Sequence, residues 1–491
     1  MSDVTGDSSP APQLSEHHGK VVMLSIAAAM GGFLFGFDSS VINGAVDAVE
    51  DNFELSSFVT GFVVAIALLG CAAGAWYAGR WADKWGRTRV MLIGAILFFV
   101  SSLGAGFAFS VWDLAFWRLV GGLGIGIASV IAPAYIAEIA PASMRGRLGS
   151  LQQLAITIGI FVALLSDAFW ANTAGGANDV IFGLQAWRWM FIVGVVPSAV
   201  YGILALQIPE SPRYLVATGE LKKATEVLRR WVGMRAPEKK VEEIQKTIDR
   251  EHTPSTKDLR GNTFGLMPIV WVGIALSAFQ QLVGINVIFY YSTTLWQAVG
   301  FSESNSFVIS VITSVTNVAV TVIAILLVDK IGRRILLLVG SVGMAVSLGA
   351  MTLAFTQAVM TTASDGTQTP QLGSPWNGIA LVGANLFVVS FGATWGPVVW
   401  VLLGEMFPNR IRGAALSVAA AAQWLTNFVV TTTFPPLSSV SLVLAYGLYT
   451  GFAVLSFFFV LWKISETKGI ELEDMSGDVR SRRPASAPAQ T

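Results

Sequence analysis

The chain has 491 residues, of which 54% are hydrophobic and only 13% are charged, and its mean hydropathy is +0.63. Soluble domains carry about 25% charged residues, so this composition excludes an ordinary soluble protein. Basic and acidic side chains balance to a formal charge of zero, which predicts no nucleic-acid partner. The single cysteine, Cys71, excludes an internal disulfide and a cysteine metal cluster.

Apolar runs long enough to cross a bilayer, which takes about 20 helical residues, follow one another along the chain. Twelve can be counted, at residues 20–47, 57–79, 90–109, 113–137, 148–170, 187–207, 264–298, 304–328, 335–357, 378–403, 413–434 and 441–463. A closed barrel would show short alternating segments instead. The sequence therefore predicts an all-α membrane protein with twelve transmembrane helices.

The connections between the runs alternate in basic residues. Lys and Arg are absent from residues 48–56, 110–112, 171–186, 299–303, 358–377 and 435–440. The alternate connections carry basic clusters, and Arg118 and Arg188 are exceptions that fall within predicted helices. Because basic residues accumulate in cytoplasmic connections, we expect a multi-pass plasma-membrane protein with both termini in the cytoplasm.

Two motifs recur in the same order half a chain apart. DKWGR (83–87) is matched by DKIGR (329–333), and EIAP (138–141) by EMFP (405–408). This repeat predicts two related six-helix halves with a substrate at their interface. The predicted organisation is a disordered cytoplasmic tail at 1–19, an N-terminal half at 20–208, a cytoplasmic helical linker at 209–262, a C-terminal half at 263–465 and a cytoplasmic tail at 466–491.

Asp38 lies near the middle of the first run, in GGFLFGFDSSVING. A carboxylate in hydrocarbon costs on the order of 3 kcal/mol on insertion scales and normally faces a wet cavity. The arginine well inside a span is Arg118, which would favour the ionised acid if the two side chains approach. Histidines lie outside the runs, so Asp38 is the strong candidate for a titrating group deep in the first half. Its alternative role is a structural ion pair.

Polar and aromatic side chains within the runs concentrate in the second half. They include Gln152 and Gln153 in the fifth run, Gln280, Gln281, Asn286, Tyr290 and Tyr291 in the seventh, Asn317 in the eighth, Trp395 and Trp400 in the tenth, and Gln423, Trp424 and Asn427 in the eleventh. Amides donate and accept hydrogen bonds, as a polyhydroxy ligand requires. The alternative is hydrogen bonding between helices. Gln281 and Asn286 do not share one helical face, but unwinding at Gly284 would change that.

Charged residues at the cytoplasmic helix ends are predicted to form ion pairs that hold the halves together and break on inward opening. The alternative is topology and helix capping alone. The glycines of VGGLGIGIAS (120–129) follow no strand, so we interpret them as close helix packing rather than a dinucleotide site. No ATP-binding motif, nucleophile–base set or metal-ligand set occurs in the spans, which argues against a pump domain or an enzyme.

An ordered set of motifs resembles the sugar porter family of the major facilitator superfamily. The segments are GRWADKWGRTR, PASMRGR, PESPRYL, QQLVGIN, DKIGRR, GPVVWVLLGEMFPNRIRG and SETKG. They cover nearly the whole chain apart from the two tails. The resemblance is strongest to bacterial proton-coupled members that transport glucose or xylose, and it implies the major facilitator fold.

The resemblance also implies roles for individual residues. The sugar-binding positions are Phe35, Gln153, Gln280, Gln281, Asn286, Asn317, Gly396, Trp400, Gln423 and Trp424, and the proton-coupling pair is Asp38 and Arg118. The cytoplasmic gate is Arg80, Asp83, Arg87, Glu138, Arg145, Glu210, Arg213, Arg333, Glu405 and Arg412, and the extracellular gate is Tyr290 and Tyr291. The chain departs from the xylose-transporting pattern at two positions. Ile160 replaces a sugar-contacting glutamine of the fifth run, which favours glucose as the sugar. Gly194 replaces an acid of the sixth run, so proton coupling would depend on Asp38 alone.

We therefore expect a monomeric symporter in the lipid bilayer that moves a monosaccharide, D-glucose, together with a proton by alternating access. No cofactor and no metal are expected besides the co-transported proton. One alternative is a facilitative uniporter in which Asp38 and Arg118 form a structural pair. A more distant alternative is a sugar sensor without flux, which the short tails argue against.

Overall fold

A computed structural model describes residues 15–141, 145–250, 259–362, 368–408 and 411–467. Within this part of the chain, twelve helical segments are long and apolar enough to cross a membrane. The predicted all-α membrane fold with twelve spans is confirmed. Residues 1–14 of the predicted N-terminal tail and residues 468–491 of the predicted C-terminal tail lie outside the described residues.

The first half is built from seven helices that make six spans, because the sixth span is divided by a turn at residues 193–194. Its helices are α1 (Ser15–Phe53), α2 (Ser57–Trp85), α3 (Arg87–Gly106), α4 (Val111–Ile139), α5 (Arg145–Ala174), α6 (Ala186–Ile192) and α7 (Val195–Gln207). A short hairpin of β1 (Val180–Ile181) and β2 (Leu184–Gln185) joins α5 to α6.

The linker between the halves is helical, as its polar composition predicts. It contains α8 (Pro212–Ala217), α9 (Leu221–Val227), a π-helical turn over Leu228–Val232, and α10 (Pro237–Arg250). Strand β3 (Arg260–Thr263) precedes the second half. We call the end of the bundle that carries this connection the linker end, and the opposite end the far end.

The second half repeats the arrangement of the first. Its helices are α11 (Pro268–Leu282), α12 (Ile285–Tyr290), α13 (Ser292–Ala298), α14 (Glu303–Ile331), α15 (Arg333–Phe355), α16 (Trp376–Ser390), α17 (Gly396–Met406), α18 (Arg412–Val440) and α19 (Leu442–Lys463). A hairpin of β4 (Val359–Thr362) and β5 (Gln368–Gln371) joins α15 to α16. The halves meet where α2 packs on α18 and α5 packs on α14.

Glycines in α4 let three helices of the first half approach closely. A Cβ at Gly122 would lie 2.1 Å from the carbonyl oxygen of Ala67 on α2, and one at Gly126 would lie 2.2 Å from that of Cys71. On the other face, a Cβ at Gly124 would lie 2.6 Å from the Gly94 oxygen of α3. The close-packing interpretation of this stretch is therefore confirmed, and it brings Arg118 of α4 beside α2.

Arg188, the second basic residue inside a predicted helix, lies at the far end. Its guanidinium donates hydrogen bonds to the carbonyl oxygens of Gly106 (3.1 Å) and Ala108 (2.8 Å). These carbonyls lie at and beyond the C-terminus of α3, where a helix leaves acceptors unpaired and favours a cation. Arg188 is therefore an exception to the charge pattern with a local structural reason.

Both predicted tails extend too far into the folded chain. Helix α1 begins at Ser15 rather than after residue 19. Near its start, Lys20 Nζ donates a 3.4 Å hydrogen bond to the carbonyl oxygen of Arg230 in the linker. At the other end, Glu466 and Thr467 fall within the predicted tail but bind the second half through their side chains. These hydrogen bonds hold the chain for two residues beyond the predicted boundary.

Candidate functional site

The seventh span is broken at Gly284, which has a left-handed backbone with φ of 80°. Glycine adopts this conformation without steric cost. The break ends α11 after Leu282 and starts α12 at Ile285, and it turns Asn286 back towards Gln281. Asn286 Nδ2 donates a 2.6 Å hydrogen bond to Gln281 Oε1. The interruption expected at Gly284 is present, and it brings two predicted sugar-binding amides together.

The α-helical pattern of the tenth span is also interrupted, by a π-helical turn over Phe391–Trp395 that ends where α17 begins at Gly396. Gln280 Nε2 donates to the carbonyl oxygens of Trp395 (3.0 Å) and Gly396 (3.2 Å). Its Oε1 is buried and has no hydrogen-bond partner within the described chain. Gln280 therefore ties the two broken spans together and keeps one acceptor free.

The remaining predicted sugar-binding residues lie on α1, α5, α14, α17 and α18. Asn317 is buried beside the broken span, 3.5 Å from where a Cβ on Gly392 would lie. Gln423 Oε1 is buried and accepts no hydrogen bond from any described residue, and Gln153 is half-buried on α5. Trp400 remains 41% exposed on α17, between the broken segment and the linker end.

Phe35 and Trp424 connect the halves at the centre of the bundle. Their rings meet edge to face with centroids 5.4 Å apart. Together with the amides of α11, α12 and α18, they provide hydrogen-bond donors, hydrogen-bond acceptors and a flat apolar surface. A polyhydroxy ligand can be bound by such a combination, its hydroxyls by the amides and its C–H face by the rings.

Asp38 and Arg118 are both buried, at 8% and 4% exposure, and line the same two small cavities. No ion pair joins them. Arg118 instead donates to the carbonyl oxygens of Val63 (3.2 Å, from Nε) and Val64 (3.1 Å, from Nη2), while Nη1 has no hydrogen-bond partner in the described part of the chain. A fixed structural pair is therefore not formed in this conformation. The guanidinium is held by α2 and remains next to the acid.

Tyr290 extends from the second half into this region. It is buried and lines one of the two cavities together with Phe35, Asp38 and Arg118. Its neighbour Tyr291 donates a 2.9 Å hydrogen bond to the Thr431 carbonyl oxygen on α18, which is a contact inside the second half. Of the two predicted gate tyrosines, Tyr290 is therefore the one that contacts the acid site across the interface.

At the linker end of the first half, Arg87 binds Glu138 through two hydrogen bonds of 3.1 and 2.9 Å. Glu138 also accepts a short hydrogen bond from Ser211 Oγ of the linker. Glu210 accepts from the backbone N–H groups of Arg87 (2.9 Å) and Thr88 (3.2 Å) at the start of α3. The Glu210 carboxylate therefore occupies a helix N-terminus, where unpaired N–H groups favour an anion.

The second half contains the same cluster. Arg333 binds Glu405 through hydrogen bonds of 3.2 and 2.8 Å. Glu466 accepts from the backbone N–H groups of Arg333 (2.9 Å) and Arg334 (3.1 Å), and Thr467 Oγ1 donates to Glu405 at 2.6 Å. Sequence reasoning missed Ser211, Glu466 and Thr467, although PES (209–211) and SET (465–467) place a hydroxyl directly after an acid in both halves.

In this conformation the described ion pairs at the linker end do not join the halves, and a latch that breaks on inward opening between them stays a prediction. Arg87–Glu138 lies inside the first half and Arg333–Glu405 lies inside the second, so each pair braces its own half. Asp83 contacts Arg87 at 3.2 Å and is otherwise 75% exposed. Arg80 is exposed and Arg213 is half-buried, whereas the side chains of Arg145 and Arg412 lie outside the described residues.

Hydrogen bonds that do join the halves lie at the far end, between α1 and α13. Thr293 donates to Asn43 from its backbone N–H (to Oδ1, 3.1 Å) and from Oγ1 (to the carbonyl oxygen, 2.7 Å). Asp47 accepts from Thr294 Oγ1 (2.7 Å) and Gln297 Nε2 (2.9 Å). Sequence reasoning missed this set, which we call the far-end gate, although Asn43 and Asp47 are spaced for one helical face.

A second far-end contact joins α14 to the first half. Glu303 accepts a 2.9 Å hydrogen bond from the backbone N–H of Ala177, and Ser304 Oγ donates to Asn172 Oδ1 at 2.9 Å. Together with the far-end gate, it closes the central site at this end.

Within the described residues, no cluster of three His, Cys, Asp or Glu side chains is present that could hold a metal ion.

Comparison with known proteins places this arrangement in a family. The model of the sugar (and other) transporter family matches residues 24–478. A glucose transport protein of Synechocystis is 54% identical over 93% of this chain and 97% of its own length. The D-xylose-proton symporter of Escherichia coli is 35% identical over 93% of this chain and 95% of its own length.

Solved structures of the xylose transporter XylE have the same fold. The inward-open form from Escherichia coli has a TM-score of 0.77 at 33% identity and covers 93% of this chain and 99% of that one. The form bound to 6-bromo-6-deoxy-D-glucose has a TM-score of 0.76 at 33% identity and covers 94% and 99%. The family match, the relatives and the two-half architecture agree, and the chain belongs to the sugar transporter family of the major facilitator superfamily.

Proposed function

We propose that the chain is a proton-coupled monosaccharide symporter, with D-glucose as its sugar, that works by alternating access between its two halves. The observation that carries the proposal is the central group of amides with free acceptors, which lies across the interface from a buried acid and arginine that form no ion pair. The 54% identical relative is a glucose transport protein, and the 35% identical one is a xylose-proton symporter.

The sugar binds mainly to the second half. Gln281 and Asn286 are oriented by the break at Gly284, and Gln280 presents its free Oε1 beside the broken tenth span. Asn317, Trp400, Gln423 and Trp424 supply the other contacts of this half, while Gln153 and Phe35 close the site from the first half. Buried acceptors without partners are costly, so a ligand that donates to them gains affinity and selectivity.

Asp38 binds the transported proton. With Arg118 held by the Val63 and Val64 carbonyls, an ionised Asp38 would be a buried charge without a partner, so the acid is neutral in this conformation. The proton leaves when Arg118 turns from α2 to Asp38 and stabilises the carboxylate. Proton uptake in the opposite conformation reverses this exchange and frees Arg118 for α2.

Alternating access requires that one end closes while the other opens. The far-end gate and Tyr290 close the far end in this conformation, while Trp400, on the linker-end side of the tenth span, keeps 41% of its surface exposed. The clusters around Glu138 and Glu405 act as rigid braces that keep each half intact while the halves rotate. Arg80, Asp83, Arg145, Arg213 and Arg412 complete the gate at the linker end when that end closes.

The linker end faces the cytoplasm of a plasma membrane, since its connections carry the basic residues. Both termini are then cytoplasmic, and the two halves at 20–208 and 263–465 move as units around the linker at 209–262. The protein acts as a monomer in the lipid bilayer without a catalytic reaction and without a cofactor other than the co-transported proton.

Uptake of radiolabelled glucose into proteoliposomes, with and without an imposed inward proton gradient, tests the proposal. We expect accumulation above the external concentration only with the gradient. Equilibration that ignores the gradient would identify a uniporter, and absence of flux despite glucose binding would identify a sensor. A parallel assay with xylose decides the sugar. We expect glucose uptake to exceed xylose uptake by about tenfold, because the loss of one hydrogen bond to the sugar weakens binding by about that factor.

A further inference from the structure

Asp167 on α5 is a second acid in the interior of the first half, in addition to Asp38. Its side chain is fully buried. Oδ2 accepts a 3.2 Å hydrogen bond from the backbone N–H of Gly44 on α1, and Oδ1 has no hydrogen-bond partner among the described residues. The predicted fifth run ends at residue 170, which places Asp167 near the membrane surface. In the structure α5 continues to Ala174 and Asp167 lies inside the bundle.

Helices α1 and α5 approach closely at this level. A Cβ on Gly44 would lie 2.6 Å from the Cβ of Asp167. Gly32, Gly36, Ser40 and Gly44 are spaced by four residues and so share one face of α1. Ser40 Oγ and Asn43 Nδ2 are also buried, with no hydrogen-bond partner in the ranges that the structure describes. Asp167 is therefore packed in a tight interface whose polar atoms are incompletely satisfied.

Among the described residues, no counter-charge faces Asp167 from the elements that pack most extensively against α5, which are α1, α4, α6, α14 and β1. The charged groups in the far-end half of these elements are Asp38, Asp47, Glu50, Asp51, Asp113, Arg118, Arg188 and Glu303. Among the described residues, none of these side chains forms an ion pair or hydrogen bond with Asp167. Arg118 and Arg188 are bound to backbone carbonyls instead.

These contacts favour the neutral, protonated carboxyl over the carboxylate while the far end is closed. One backbone N–H does not offset the cost of a buried, unpaired charge. An asparagine would accept the Gly44 N–H equally well and would have no charge to neutralise. Unlike that amide, the acid can bind and release a proton.

We propose that Asp167 is a gating proton site: closure of the far end takes up one proton at Asp167, and reopening releases it to the same side. The position fits this role. Gly44, its hydrogen-bond partner, is six residues beyond Asp38, so Asp167 lies about 9 Å nearer the far end. Gly44 also follows Asn43, the residue through which α13 binds α1.

The chemistry is a proton transfer that balances at both ends. When α13 leaves Asn43 and Asp47, water reaches the α1–α5 interface, the Asp167 O–H bond breaks and water takes the proton. Closing expels that water and requires the reverse transfer from the far-end solution. This proton returns to its own side, so it sets the pH dependence of closure without adding to the protons transported with sugar. The inference rests on the proposed alternating-access function.

The test measures closure without sugar or transport. Spin labels on cysteines that replace Asn52, at the end of α1, and Asn305, at the start of α14, report far-end opening in a Cys71→Ser background; both positions are exposed. The closed-to-open ratio is measured from about pH 6 to about pH 9 in the parent and in Asp167→Asn. Its logarithmic slope against pH counts the protons taken up on closure.

We expect the slope to fall by about one proton in Asp167→Asn, whatever Asp38 and Asp47 contribute. Asp113→Asn, which alters a half-exposed far-end acid on α4, should leave the slope unchanged. If Asp167→Asn does not fold, Asp167→Ser gives the same comparison with a smaller neutral side chain. An unchanged slope in a folded Asp167 variant would overturn the proposal, and it would do so independently of whether the protein couples glucose to protons.

Discussion

Asn286 donates a 2.6 Å hydrogen bond to Gln281 although five residues separate them. In an uninterrupted helix these two side chains would point about 140° apart, because each residue turns the helix by about 100°. The left-handed backbone at Gly284 removes that separation. One glycine therefore determines whether two amides of the sugar site act together.

Replacement of Gly284 by Ala should disrupt this geometry. The new Cβ would lie 2.7 Å from the Tyr449 ring, and alanine disfavours the positive φ. We expect a loss of about 1–3 kcal/mol in stability and at least about tenfold weaker glucose binding. Thermal unfolding and calorimetry measure the two effects. Gly451→Ala, on α19 with no heavy atom within 4 Å of its Cβ, should leave both unchanged. Unchanged affinity in Gly284→Ala would contradict this role.

The far-end gate should be weakened by Thr294→Val, which removes the hydroxyl that donates to Asp47 at 2.7 Å. A hydrogen bond to a charged group contributes about 1.5–3 kcal/mol, so the open population should rise by about tenfold or more. The spin-label distance between positions 52 and 305 reports it. Thr433→Val is the matched control, because its hydroxyl donates to carbonyls of its own helix and is exposed. Equal open populations in the two variants would exclude Thr294 from the gate.

The brace at the linker end of the second half depends on Glu466, which accepts two backbone N–H groups at the start of α15. Glu466→Gln should lower stability by about 1–2 kcal/mol, because the amide offers fewer acceptors and no charge to the helix N-terminus. Glu210→Gln should have a similar effect in the first half. The melting temperature measures both. Glu238→Gln, in an exposed pair with Arg229, should not change it. A Glu466 variant as stable as the Glu238 variant would show that the brace is dispensable.

The overall architecture could be predicted because membrane spans carry strong one-dimensional signals. Length, hydropathy and basic-residue alternation identify each span without knowledge of its neighbours. The internal repeat likewise relates Arg87 and Glu138 to Arg333 and Glu405. In the structure, each arginine binds the glutamate of its own half. The expected break at Gly284 had a local signal, since glycine adopts the left-handed region readily.

What the sequence could not give are contacts between distant segments. Arg87 pairs with Glu138 inside one half in this conformation, and no sequence spacing distinguishes that contact from one between the halves. The far-end gate was missed because Thr293 and Gln297 are ordinary residues until α13 is placed against α1. The fifth run is predicted to end four residues before α5 does. The sequence therefore places Asp167 near the membrane surface, whereas the structure buries it inside the bundle.

The role of Asp38 as the coupling carboxyl is tested most directly by glucose uptake into proteoliposomes under an imposed inward proton gradient, comparing the parent with Asp38→Asn. The asparagine keeps the size and polarity of the side chain but cannot carry the proton. We predict that the parent accumulates glucose and that the variant exchanges glucose across the membrane without accumulating it. Accumulation by Asp38→Asn, or a parent that only equilibrates glucose, would contradict proton coupling through Asp38.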